Sequence, residues 1–136
     1  MFDVDDSCLH EEDFLYVPEF RLYLESYKKA NGTGLSRKTI NRHMTNVMDF
    51  LYYSSTHNYN VDTEGPDEVP IDIAFLKRGN DYFSSYFDGW LLHNYESEDS
   101  IRQSVTSVKK FYRFLKETGR IESAVADDIL EELKEY

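Results

Sequence analysis

The sequence has few of the residues that crosslink a chain or anchor it in a membrane. Cysteine occurs once, at Cys8, which excludes a disulfide within the chain and is typical of proteins from reducing compartments. No apolar run approaches the roughly 20 residues that a membrane span needs. The N-terminus, acidic from Asp3 onward, lacks the basic and apolar segments of a signal peptide. We therefore expect a soluble, cytoplasmic protein with no membrane partner.

Patterns that indicate catalysis or cofactor binding are also missing. The four histidines are scattered, and the sequence has no HExxH pair, no Gly-rich phosphate loop and no nucleophile elbow. The acidic string from Asp62 to Glu68 lacks the alternating oxygen ligands and the closing glutamate of an EF-hand calcium loop. We expect no enzyme activity, no cofactor and no metal.

Basic residues are scarce, because 15 Lys and Arg stand against 26 Asp and Glu for a net charge of −11. This balance argues against nucleic acid, since Lys and Arg supply most of the affinity for phosphates. The basic residues are concentrated, however. Residues 36–53 and 97–120 together hold nine basic and four acidic residues, a balance of +5 that leaves −16 elsewhere. This segregation predicts one surface for an anion.

Two stretches, Ser36 to Tyr53 and Ser97 to Leu115, share a pattern at an offset of 61 residues. In each, apolar residues recur at helical spacing, which predicts an amphipathic helix with one buried stripe. Each begins at a serine that can cap the helix by accepting a hydrogen bond from a free amide. The 136 residues, 40% of them apolar, suffice for one core. The repeat therefore predicts a single domain of paired helices.

The face beside each apolar stripe is cationic. In the first stretch Arg37, Lys38 and Arg42 crowd the first two turns, where the positive end of the helix dipole disfavours cations. In the second stretch, a mostly cationic row follows the helical period: Arg102, Thr106, Lys109, Arg113 and Lys116. An anion from outside the chain would account for this placement.

The segments SRKTINRHMTNVMDFL and SIRQSVTSVKKFYRFLKETGRI, within Phe14 to Ile121, resemble the N-terminal core-binding domain of tyrosine recombinases, the phage-integrase type. The resemblance implies an all-α fold, a SAM-like orthogonal bundle of four helices in two helix-pair repeats, to which this chain adds a C-terminal helix. In that family the second and fourth helices face the major groove of double-stranded DNA, and here they would be Ser36 to Tyr53 and Ser97 to Thr118. The resemblance implies the following DNA-facing residues: Arg37, Lys38, Asn41, Arg42, Thr45, Arg102, Thr106, Lys109, Lys110 and Arg113.

The sequence departs from the family pattern after the second stretch. The family commonly has an Asn-Pro pair past its fourth helix, whereas Arg120 to Glu122 here run into a further helix. The chain carries no catalytic domain with the family's arginines, histidine and nucleophilic tyrosine, so we expect binding and not catalysis. An alternative keeps the fold without DNA binding: a free-standing protein-interaction or regulatory module, with a recombinase catalytic domain or subunit as a partner of its acidic surface.

Residues 1–13, which hold six carboxylates and no Lys or Arg, are predicted to be an acidic flexible tail on a helical domain of residues 14–136. A first helix is expected up to Asn31 and Gly32, where Lys28 and Lys29 would complement the helix dipole. A tail of this charge could compete for a basic face, but a solvating terminus is the favoured interpretation.

Three further expectations concern single elements. His43, beside Arg42, is predicted to be a surface or phosphate-contacting residue and not a metal ligand. A third long helix is expected from about Asp81, and Ser123 is expected to cap the last helix. The third helix carries an apolar, mostly aromatic stripe that we assign to the core in preference to a base-stacking platform: Phe83, Tyr86, Phe87, Trp90 and Leu91.

Overall fold

The computed structural model describes residues 9–27, 32–60, 65–67, 69–94 and 96–136. These residues are mostly helical, as the resemblance implies, and they contain one short antiparallel pair of strands, β1 (Asn58–Asn60) and β2 (Gly65–Asp67). A single 3-10 turn, Glu11–Asp13, precedes the first helix. The α-helices of the described residues are α1 (Val17–Ser26), α2 (Arg37–Thr56), α3 (Ile73–Leu76), α4 (Leu91–His93), α5 (Glu98–Glu117) and α6 (Ser123–Leu133).

The two repeated stretches form the two longest helices described, α2 and α5, each of 20 residues. Both begin as the sequence predicts, because Ser36 Oγ accepts from the amide of Thr39 at 3.1 Å and Ser97 Oγ accepts from the amide of Ser100 at 3.0 Å. The predicted apolar stripes point inward, and Val47 and Val108, which occupy equivalent repeat positions, are both fully buried. The amphipathic pattern therefore fixes which face of each helix meets the core.

Aromatic rings join α1 to α5 in the core. The Phe20 ring lies 5.2 Å from that of Phe111 in an edge-on arrangement and 5.5 Å from that of Phe114, distances at which aromatic pairs attract beyond their buried area. Tyr23, one turn further along α1, contacts Phe114 and donates its hydroxyl to Glu117 at 2.7 Å. This packing holds α1 across the C-terminal half of α5.

The third predicted long helix is not a regular α-helix. The chain passes from a 3-10 segment, Gly79–Tyr82, into a π-helical segment, Ser84–Trp90, and then into α4. The apolar spacing predicts one buried side but not the winding, because 3-10 and π segments differ from an α-helix in their backbone hydrogen bonds, which join residues three and five positions apart. The core assignment is confirmed for most of the stripe, because four of its residues are buried: Phe83, Tyr86, Phe87 and Leu91. Trp90 is half-buried and packs against the core.

The start of α6 differs from the prediction. Glu122, not Ser123, is the residue before the first helical turn, and its side chain makes no capping hydrogen bond. The Glu122 carboxylate instead pairs with Lys77 at 3.1 Å, which ties α6 to the end of α3. Lys116 of α5 also pairs with Asp127 of α6 at 2.6 Å. These contacts anchor a helix that buries Ala126, Ile129 and Leu133.

The N-terminal side of the domain is docked from Leu9 onward. Leu9 packs against the core, and the Glu11 carboxylate receives hydrogen bonds from two nitrogens of Arg21. Residues 1–8 lie outside the described residues, so the predicted tail boundary remains a prediction. The proposed roles of Lys28 and Lys29 and most of the acidic string of residues 62–68 also fall outside them.

Candidate nucleic-acid interface

A groove runs along the contact between α2 and α5, and we call it the seam groove. Both helices line it, and it holds about 200 Å³. The groove is lined by Arg42, His43, Asp99, Arg102, Gln103 and Thr106. Three of these residues, Arg42, Arg102 and Thr106, are among the ten predicted to face DNA, and they come from both repeats. The helices thus bring cations that are 60 positions apart in the sequence onto one surface.

Beneath the seam groove, the two helices are joined by hydrogen bonds that converge on Ser107. The Oγ of Ser107 lies 2.7 Å from Nδ1 of His43, accepts from Nδ2 of Asn46 at 3.0 Å and donates to the carbonyl of Gln103 at 2.9 Å. A serine hydroxyl has one hydrogen and two lone pairs. The three contacts are satisfied together only when His43 carries its proton on Nδ1, which assigns the tautomer.

His43 is therefore not the surface residue that the sequence suggested, because only 5% of it is exposed. His43 lies on the buried side of α2, next to Arg42, and it also borders the seam groove. Burial, with the nearby charges of Lys110 and Arg42, lowers the pKa of His43 to about 4. The imidazole is neutral at pH 7 and donates to Ser107 from Nδ1.

The predicted residues of α2 are all at the surface, but they do not form one group. Arg42 borders the seam groove. Asn41 lies toward α1, where its Oδ1 accepts from Arg21 at 3.1 Å. The side chains of Lys38, Arg42 and Thr45 share one exposed face by their helical spacing.

The predicted residues of α5 share its solvent face, with carboxylates at the ends. Arg102 contacts Glu98 at 3.3 Å and Asp99 at 3.5 Å, but these pairs are largely exposed and contribute little. The Lys110 ammonium lies 5.5 Å from the centre of the Tyr27 ring, a cation–π contact. Arg113 and Thr106 are exposed, and Lys109 is half-buried.

Sequence reasoning missed three polar residues at this site. Asn46 and Ser107 lie at equivalent repeat positions, a coincidence that the 61-residue offset could have drawn attention to. Arg21 supports Asn41 from α1, but no local pattern in the sequence indicates that contact.

A second groove, beside the start of α6, also has basic residues in its lining. Lys77 and Lys116 lie there but are paired with Glu122 and Asp127, and Arg120 lies over the rings of Tyr16 and Phe114. These three cations are therefore already in contact with groups of the same chain. Within the described residues, no group of His, Cys, Asp and Glu is placed to hold a metal, and no helix has the length and apolarity to cross a membrane.

Comparison with known proteins points to the same class as the sequence did, the tyrosine recombinases. The chain is 29% identical over 107 residues to tyrosine recombinase XerC of Chlorobaculum tepidum. The match covers 79% of this chain and about 28% of the relative, an extent consistent with an N-terminal domain. No family profile and no solved structure matches the chain significantly. This distant match, at 29% identity, confirms the resemblance to tyrosine recombinases.

Proposed function

We propose that the chain is a DNA-binding module of the tyrosine-recombinase type, which holds duplex DNA against α2 and α5. The observation that carries the proposal is the seam groove, where Arg42 of one repeat and Arg102 of the other border one space. The relationship to a recombinase supports duplex DNA as the ligand. The role of the module is binding, with no reaction assigned to its own residues.

In the proposed mode of binding, different residues contact the base edges and the phosphates. Thr106, on the solvent face beside the seam groove, and Arg102 would approach base edges, where side chains read sequence. Asn41 would do so only after leaving Arg21. Phosphate contacts would come from the exposed or half-buried cations Arg37, Lys38, Arg42, Lys109, Lys110 and Arg113.

The strength of binding follows from the number of phosphates engaged. About five or six contacts give a slope near −5 in a plot of log affinity against log salt. Most of the remaining surface is acidic, since the net charge is −11, and it repels DNA. Affinity is therefore weak at physiological salt unless a partner domain adds contacts.

Charge reversal on α5 tests the proposal. In Lys109→Glu with Arg113→Glu, the salt-sensitive binding of a fluorescent duplex is lost, because four units of charge are changed on the DNA-facing side of α5. Arg78→Glu with Lys134→Glu makes the same change at exposed sites on α3's end and beyond α6 and retains binding. Both proteins must keep the helical circular dichroism of the parent. Absence of duplex binding by the parent near about 20 mM salt, where phosphate contacts are strongest, would eliminate the proposal.

A second function, a protein-interaction module, is favoured by the outer face of α6. Asp128 and Glu131 are exposed there, as is Glu135 just beyond the helix, and a basic surface on a recombinase subunit would complement them. The α5 variant separates the two functions, because a protein-interaction module keeps partner binding in Lys109→Glu with Arg113→Glu. Such a module loses partner binding when Asp128 and Glu131 on α6 are changed to lysine.

A further inference from the structure

A titratable side chain lies at the base of the seam groove. His43 borders the space between Arg42 and Thr106 and is hydrogen-bonded through Nδ1 to Ser107 underneath. With Nδ1 already protonated, the ring has one position left for a proton, Nε2. An additional positive charge on the ring would therefore arise at the base of the surface that we propose for phosphate.

In the free protein, the charges around His43 disfavour protonation of its Nε2. Arg42 from its own helix and Lys110 from α5 both disfavour the imidazolium. Arg102 is the second cation in the lining of the groove, after Arg42, and Asp99 is the carboxylate in that lining. Tyr27, the residue that follows α1, lies under the ammonium group of Lys110.

An anion in the groove would reverse this balance. A phosphate beside Arg42 and Arg102 offsets their charge and adds an opposite charge near the ring, and a nearby opposite charge favours the charged form of a base. Asp99 is held at 3.5 Å from Arg102, so the phosphate competes with this exposed pair. The free energy that couples two bound species acts equally on both of them.

We propose that a backbone phosphate in the seam groove and a proton on His43 bind cooperatively, each strengthening the other. This rests on the proposed function, because it names the subsite at which duplex DNA is held and a condition that regulates it. DNA affinity then rises as pH falls below the pKa of His43 in the complex, by up to tenfold for each pH unit between that pKa and about 4, its value in the free protein. The pKa of His43 rises correspondingly in the complex.

The test measures duplex affinity by fluorescence anisotropy from about pH 7.5 to about pH 5, at constant low ionic strength. His43→Asn retains an amide donor for Ser107 but takes up no proton, so its affinity varies less with pH than that of the parent. His93→Asn, which changes an exposed histidine on α4, keeps the dependence of the parent. Equal pH dependence in the parent and His43→Asn overturns the proposal and leaves the proposed function standing, whereas no duplex binding at any pH overturns both.

A second measurement needs no variant. The ring nitrogens of His43 are followed by nuclear magnetic resonance during a pH titration of the parent in inorganic phosphate and in chloride at matched ionic strength. The proposal requires a higher pKa of His43 in phosphate. The same pKa in both salts contradicts a phosphate subsite at the seam groove, whatever the affinity for duplex DNA.

Discussion

Asn46 donates a hydrogen bond to Ser107 over 3.0 Å, and these residues are separated by the 61 positions of the internal repeat. The two copies of the repeated helix therefore touch at equivalent positions. Because Ser107 also contacts His43, two side chains of α2 meet the same hydroxyl of α5 where the helices cross. Arg42 and Thr106, the residues immediately before His43 and Ser107, are brought to the edge of the same groove.

The first prediction concerns this crossing. Ser107→Ala removes the shared acceptor and leaves Nδ1 of His43 and Nδ2 of Asn46 unpaired, which costs about 1–3 kcal/mol in the free energy of unfolding. Urea denaturation measures the loss. Ser104→Ala, one turn earlier and nearly as buried at 6% exposure, is the matched control, because it touches none of these three contacts. Equal losses in the two variants would mean that the network does not fix the crossing.

The second prediction concerns the contact between Gly79 and α5. Tyr112 donates its hydroxyl to the carbonyl of Leu76 at 2.7 Å, and a side chain at Gly79 would overlap that hydroxyl. Gly79→Ala therefore destabilises the protein by about 1–3 kcal/mol through overpacking. Gly89→Ala, whose added carbon meets nothing within 4 Å, costs nothing or is slightly stabilising because it restricts the unfolded chain.

A double-mutant cycle tests the same contact between Gly79 and Tyr112. Tyr112→Phe removes the hydroxyl, so Gly79→Ala costs less in that background than in the parent, and the two changes are not additive. Thermal or urea denaturation of the four proteins gives the coupling. Additive losses would contradict a clash between these two residues.

The third prediction follows from the neutral state of His43. Its pKa is about 4 in the folded protein against 6.5 for the free side chain, so the unfolded chain binds more protons between these values. Stability is then fully present above about pH 6.5 and declines as pH falls toward 4. The loss from this one group amounts to at most about 3 kcal/mol, by the free energy equivalent of one pKa unit. Denaturation curves of the parent and His43→Asn should diverge across this window, and parallel pH profiles would show that His43 contributes nothing.

The sequence predicted the long helices well because their signals are local. Serine caps and apolar residues at helical spacing specified α2 and α5 to within a few residues. The segment from Gly79 to His93 was predicted less well, since its 3-10 and π windings depend on tertiary packing that includes Tyr112 against Gly79. Ser123 is the first residue of α6 instead of its cap, and the residue before it, Glu122, pairs with Lys77, which is 45 positions away in the sequence.

At the candidate site, the sequence predicts which side chains are exposed, but it does not predict which side chains of the two helices lie next to each other. The pattern identified Arg42, Arg102 and Thr106 as surface residues of two similar helices, and the crossing placed them at one groove. His43 was assigned to the surface because it stands beside Arg42, but one position along an α-helix turns a side chain by more than a quarter of a circle. That turn carries His43 into the interface.

Chemical-shift mapping with a short DNA duplex locates the surface of the protein that binds DNA. Backbone amide resonances of the parent protein are followed during a titration at low salt, where phosphate contacts are strongest. We predict that the largest changes cluster at residues 38–46 of α2 and 102–113 of α5, and that they reverse when salt is raised. Changes concentrated on α6, or absent throughout, would contradict the account.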